Sequence, residues 1–180
     1  RRMAQTTPEL TSENVSVRLI GDQEGFWKSY SLPGGKIYLS TSSLKKLDYE
    51  NEVAALLAVQ LAHLQKGHAL NRVIEKAGID PKKRLIGASD IPDALPLFGP
   101  NVVFQYAEEA NVEACESAVA ILYRAGYDPR GLVAVYQLYK SNAEHSEFDS
   151  ERLSSMLQCA HQSIAGHVAL TGEPLNIDDV

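Results

Sequence analysis

His63, His68, His145, His161 and His167 are the side chains of this 180-residue chain best suited to hold a metal or move a proton near neutral pH. With 23 Asp and Glu beside them, residue types alone would furnish a metal site many times over. Two cysteines, Cys115 and Cys159, are too few for a disulfide framework or a four-cysteine zinc site. Only 17 Lys and Arg stand against the acids, for a formal charge of −6, which argues against a nucleic-acid footprint or a polybasic membrane contact. Metal chemistry therefore stays open, and position along the chain must decide it.

The elements that would position these residues follow from pattern. The length and a 44% hydrophobic content suit one soluble domain, and no apolar run reaches the roughly 18–20 residues that span a bilayer. Residues 1–14 form a polar lead-in, residues 15–170 the domain, and residues 171–180 a C-terminal tail. Val15 to Ile20 alternates as a strand does, and Gly21 to Gly25 reads as a turn. Phe26 to Leu32 and Lys36 to Thr41 read as two further strands around Pro33-Gly34-Gly35, giving a small antiparallel sheet. Ser42 or Ser43 can cap a short helix through Leu47. Asp48 can cap a longer one, with Glu50 and Glu52 in its first turn and Lys66 and His68 near its end. Residues 53–64 are apolar almost all round, so this helix should be deeply buried. Residues 78–100, rich in Gly and Pro, read as a long loop. Asn101 can cap a helix through about Arg124, stopped by Gly126, and Asp128-Pro129 opens the next, to about Tyr139. A last amphipathic helix spans about 149–170, with Leu153, Met156, Leu157, Ala160 and Ile164 on one face. The fold class is α+β, mainly helical.

Three stretches gain meaning together: residues 32–44 (LPGGKIYLSTSSL), 51–68 (NEVAALLAVQLAHLQKGH) and 106–129 (YAEEANVEACESAVAILYRAGYDP). In that order they resemble the HtpX and CAAX-prenyl-protease family of zinc metallopeptidases, metallopeptidase family forty-eight. The resemblance spans about residues 15–140. It implies a gluzincin-like domain whose buried helix, beside a small sheet, carries His-Glu-x-x-His. Two histidines four apart turn ~400° and reach one Zn²⁺ from one face. The Glu is the base for zinc-bound water, a later Glu is the third ligand, and an Asp four residues on orients the site.

Laid on this chain, the resemblance puts Val59 at the first ligand position, Gln60 at the base, His63 at the second ligand, Asn111 at the third and Cys115 at the orienting Asp. Valine has no lone pair to donate, and Gln60 keeps the shape of Glu without its ability to take a proton. The expectation is therefore an inactive metallopeptidase-like domain with no catalytic residue and no bound cofactor, although the parent family uses zinc. Rebuilding from neighbours looks poor: Glu113 lies ~200° round the helix from Asn111, and His68 lies ~140° off the face of His63. The alternative is an active metalloendopeptidase or other hydrolase using a rebuilt His63 and Cys115 site. In the plainer reading His63 is buried and hydrogen-bonded to Asn111 or Gln60, and Cys115 is a small apolar core residue. His161 and His167, ~240° apart, share no face and should be surface residues, and His145 sits in a solvated turn. Partners would be a protein or extended peptide added to an edge strand, with Lys36, Ile37, Tyr38, Leu39, Ser40 and Thr41 as the candidate. By resemblance alone the setting would be periplasmic or otherwise exported in a bacterium; there Cys115 and Cys159 could pair, although Cys115 on the inner face of a helix favours free thiols.

Overall fold

Alternating residues near the N-terminus become three short strands: β1 (Ser16–Ile20), β2 (Ser29–Leu32) and β3 (Lys36–Ser40). The structure is a computed structural model that describes residues 15–21, 29–77, 106–142 and 150–172. The expected lead-in, the loop over 78–100, the Asn101 cap, the turn around His145 and most of the C-terminal tail lie outside these residues.

β2 and β3 form the expected antiparallel hairpin, with Gly34 and Gly35 at φ +86° and +77°, angles that side chains with a Cβ avoid. β1, however, pairs with β3 in parallel, so the sheet order is β1-β3-β2 and the sheet is mixed, not antiparallel. Alternation identifies a strand and its faces; it carries no information about the neighbour the strand will take. The same order corrects the candidate docking strand. Lys36–Ser40 is the central strand, hydrogen-bonded to a neighbour on each side, and Thr41 already belongs to a helix. It offers no backbone edge for an added segment.

The helices are α1 (Thr41–Leu44), α2 (Glu50–Gln65), α3 (His68–Ala77), α4 (Glu108–Ala125), α5 (Arg130–Ser141) and α6 (Ser150–Thr171). Ser40 caps α1 by accepting the Ser43 N–H, two or three residues ahead of the serines expected to do so. Tyr49, not Asp48, is the N-cap of α2, and the Glu52 carboxylate accepts the N–H groups of both. As its composition requires, α2 is the buried centre, with Ala54, Ala55, Leu56, Ala58, Val59, Leu61 and Ala62 in the core. The run of alanines keeps α2 thin, so α4 and α5 can pack closely against it. Gly131 marks the tightest approach: a Cβ there would lie 2.5 Å from the Asn51 carbonyl oxygen.

α2 ends earlier than expected. Lys66 is its C-cap, Gly67 turns at φ +67°, and His68 opens α3. α4 stops at Gly126 in the left-handed conformation, and Asp128 accepts the Arg130 N–H at 2.8 Å as α5 begins. On α6, Leu153, Met156, Cys159, Ala160 and Ile164 are buried and join the same core cluster as α2, α4 and α5. No helix among the described residues is long and apolar enough to cross a membrane.

Candidate functional site

Val59, Gln60 and His63 share the buried face of α2 and line a cavity of about 30 Å³ together with Tyr106, Ser29 and Tyr136. That space holds little more than a water molecule and is far too small for a peptide. Its roof is Tyr106, a residue at none of the motif positions. The phenol ring stacks on His63 with centroids 4.0 Å apart and an interplanar angle of 16°. Its hydroxyl donates to the Ser31 carbonyl on β2 at 3.4 Å, and its own carbonyl accepts from Asn111 Nδ2 at 3.4 Å. One residue thus ties α2, α4 and β2 together over the histidine. Only its position just ahead of the 108–125 helix could have hinted at this.

Gln60 is fixed by a different strand contact: Nε2 donates to the Ser29 carbonyl at 3.1 Å. A carboxylate could not make that bond. The expectation that His63 bonds Gln60 or Asn111 is therefore wrong, because each amide nitrogen serves a backbone carbonyl instead. Gln60 Oε1, Asn111 Oδ1 and Ser29 Oγ are buried and have no hydrogen-bond partner among the described residues. An unsatisfied buried oxygen costs about 1–3 kcal/mol, so this is a poorly balanced patch in an otherwise apolar core.

His63 finds its partner in His68, with the two Nδ1 atoms 2.9 Å apart. A helix α2 continued through Gly67 would leave His68 off the face of His63. The helix instead breaks at Gly67, and the new helix brings the ring back. His68 Nε2 lies 3.1 Å from Glu113 Oε2, and Glu113 Oε1 pairs with Lys66 at 2.8 Å. Glu113 does turn away from the Asn111 position, yet it reaches the end of α2 from the rim, and its side chain is half exposed. Lys66, then His68, hold its carboxyl below the usual range. A neutral His68 that donates from Nε2 to this carboxylate accepts at Nδ1, so His63 donates from Nδ1 and keeps Nε2 as an acceptor. Burial first, and the nearby His68 second, lower the His63 pKa from 6.5 to about 3, so its ring is neutral at physiological pH.

Cys115 lies one turn along α4 from Asn111 and is fully buried. Its thiol donates to the Met156 carbonyl at 3.8 Å and has Cys159 and Tyr136 as neighbours, while the side-chain hydrogen bond of His63 runs to His68. The structure thus gives the two residues separate partners and not a shared nucleophile and base. His161 is exposed, and His167 is half-buried against the Tyr123 ring, 4.1 Å between centroids. His145 lies outside the described residues.

These residues do not fit a zinc ion. Of the three ligand positions only His63 carries a usual zinc ligand, its Nδ1 is already engaged, and Tyr106 covers its ring. Among the described residues no three His, Cys, Asp or Glu side chains gather as a metal would need.

Fold and site together define a mainly helical α+β domain built around one buried helix with a neutral histidine on its inner face. Residues 8–91 match the family described as peptidase family M48. Over that stretch, a little under half of its length, the chain is similar to that family. The matched stretch contains Val59, Gln60 and His63 but ends before Asn111 and Cys115, whose correspondence rests on the sequence motif. A comparison with curated proteins gives no match.

Proposed function

We propose that this domain is a gluzincin-like metallopeptidase fold that has lost catalysis and serves as a protein-binding or scaffolding module. The observation that carries the reading is Gln60, which spends its amide on the β2 backbone at the position where the family needs a base. Val59 at the first ligand position supports it, as does Tyr106, which fills the space over His63 that a scissile bond would need. Extended substrates bind metallopeptidases of this kind along the strand beside the helix. Here the Ser29 and Ser31 carbonyls of β2 are already taken by Gln60 and Tyr106. A partner strand is better received by β1, whose outer edge meets no other strand among the described residues. Val17 and Leu19 stand 49% and 62% exposed on it. An exported bacterial setting belongs to the same proposal.

Elemental analysis and a casein assay with and without chelator test the reading. The expected result is zinc far below one per chain and no chelator-sensitive cleavage. Stoichiometric zinc with chelator-sensitive turnover would establish the rival, an active hydrolase. A companion test is the triple change Val59→His, Gln60→Glu and Asn111→Glu. It sets a carboxylate against the Ser29 carbonyl, so the variant should be less stable and regain stability when zinc is added. A melting temperature indifferent to zinc would count against the correspondence of these three positions.

A further inference from the structure

The seam between α4 and α6 holds a pair of thiols that the site above does not use. Cys115 Sγ reaches the Met156 carbonyl, three residues before Cys159, at 3.8 Å; Cys159 Sγ reaches the Val112 carbonyl, three residues before Cys115, at 3.6 Å. These reciprocal contacts set the two sulfurs opposite each other at one level of the helix pair, where each thiol shifts the acidity of the other. Their surroundings differ. Cys115 has no exposed surface and lies beside Tyr136 in the core. Cys159, 6% exposed, lines a surface pocket of about 330 Å³ bounded by Glu108, Val112, Glu116, Ser155 and Ser163. Ser163 Oγ is 3.7 Å from its sulfur.

We propose that Cys159 and Cys115 form a thiol–disulfide exchange site, in which Cys159 attacks a small disulfide entering this pocket and Cys115 resolves the product. In the first step the Cys159 thiolate attacks one sulfur of the disulfide, forming a mixed disulfide and expelling a thiolate that takes a proton from solvent. In the second step Cys115 loses its proton and attacks Cys159 Sγ, forming the Cys115–Cys159 bond and expelling the second thiolate. Two protein thiols are oxidised and one small disulfide is reduced to two thiols. The product staples α4 to α6.

The order of attack follows from the environment. The neighbouring Cys115 thiol brings Cys159 down to about 7, aided by Ser163 and against the effect of burial. Cys159 in turn, with burial, pushes the Cys115 thiol up, so Cys115 keeps its proton while a large share of Cys159 is thiolate near neutral pH. Once Cys159 is capped its charge is gone, and Cys115 is released from the largest cause of that upward push. Glu108 and Glu116 line the pocket, so the preferred disulfide is cationic.

The reduced full chain is incubated under native conditions with cystamine or oxidised glutathione, quenched at intervals, and mapped by peptide mass analysis. The expected early species is a mixed disulfide on Cys159, followed by a Cys115–Cys159 bond. At low salt, cystamine should react roughly threefold or more faster than oxidised glutathione. Cys115→Ser should trap the adduct on Cys159, and Cys159→Ser should leave Cys115 unmodified while folded. An early adduct on Cys115, oxidation only after unfolding, or faster reaction with glutathione would overturn the proposal. Early quenching of the unaltered chain decides the order of attack even if a serine variant fails to fold.

Discussion

Removing His63 should change how stability responds to acid, because this imidazole can take up a proton only at the cost of the fold. His63 is 2% exposed, stacked under Tyr106, and has its pKa lowered from 6.5 to about 3, chiefly by burial. A lowered histidine pKa means the unfolded chain binds the proton more tightly than the folded one. Its contribution is fully present above about pH 6.5 and is lost as pH falls towards about 3. The whole shift corresponds to about 5 kcal/mol, of which about 2 kcal/mol is lost between about pH 7 and about pH 5. That is a large part of the roughly 5–15 kcal/mol that holds a domain together. Urea unfolding of the wild type and His63→Leu, with chelator present across this pH range, reads the difference directly. Wild type should lose about 2 kcal/mol more than the variant, whatever the absolute stabilities. The subtraction removes every group the two chains share and keeps what His63 contributes, its coupling to His68 included. Parallel curves would refute the reasoning: His63 would then ionise in the folded chain, and its sealed position under Tyr106 would be wrong.

Substitutions at two further positions probe the packing. Gly131→Ala should destabilise, although alanine favours a helix by about 1 kcal/mol, because its Cβ would lie 2.5 Å from the Asn51 carbonyl oxygen and α5 must shift from α2. A fall in the urea midpoint with an unchanged slope is the expected reading, and a rise would show that the approach is looser than described. Tyr106→Ala should cost about 3 kcal/mol and expose His63 to diethylpyrocarbonate, whereas Tyr106→Phe, keeping the stack and losing two long hydrogen bonds, should cost under about 1 kcal/mol and leave it protected. Equal His63 labelling in all three chains would mean that the ring does not seal the site.

Position in the sequence was enough to place most helices, because their signals are local. Gly126 stops α4, the apolar run at residues 53–64 makes α2 the buried centre, and Leu153, Met156, Ala160 and Ile164 fall on the inner face of α6. Val59, Gln60 and His63 could be assigned to motif positions from order alone, since a helix fixes which residues share a face. Other features were beyond it. The partner of His63 depended on a left-handed turn at Gly67 that swings His68 back, and helical spacing carried across that turn gave the wrong angle. β1 took its place beside β3 through long-range pairing, which moved the proposed docking edge from the centre of the sheet to its side.

What the sequence determined by itself is therefore chemistry held in fixed local geometry: an α+β chain that resembles this family, with no carboxylate at the base position and one histidine among the three ligand positions. Only the tertiary structure decided what those residues touch. Tyr106 closes over His63, Gln60 turns its amide to β2, and Cys115 meets Cys159, from parts of the chain tens of residues apart. The physical reason is that hydrogen bonds and ring contacts form between side chains that packing brings within a few ångströms, while sequence spacing sets direction only within one unbroken element.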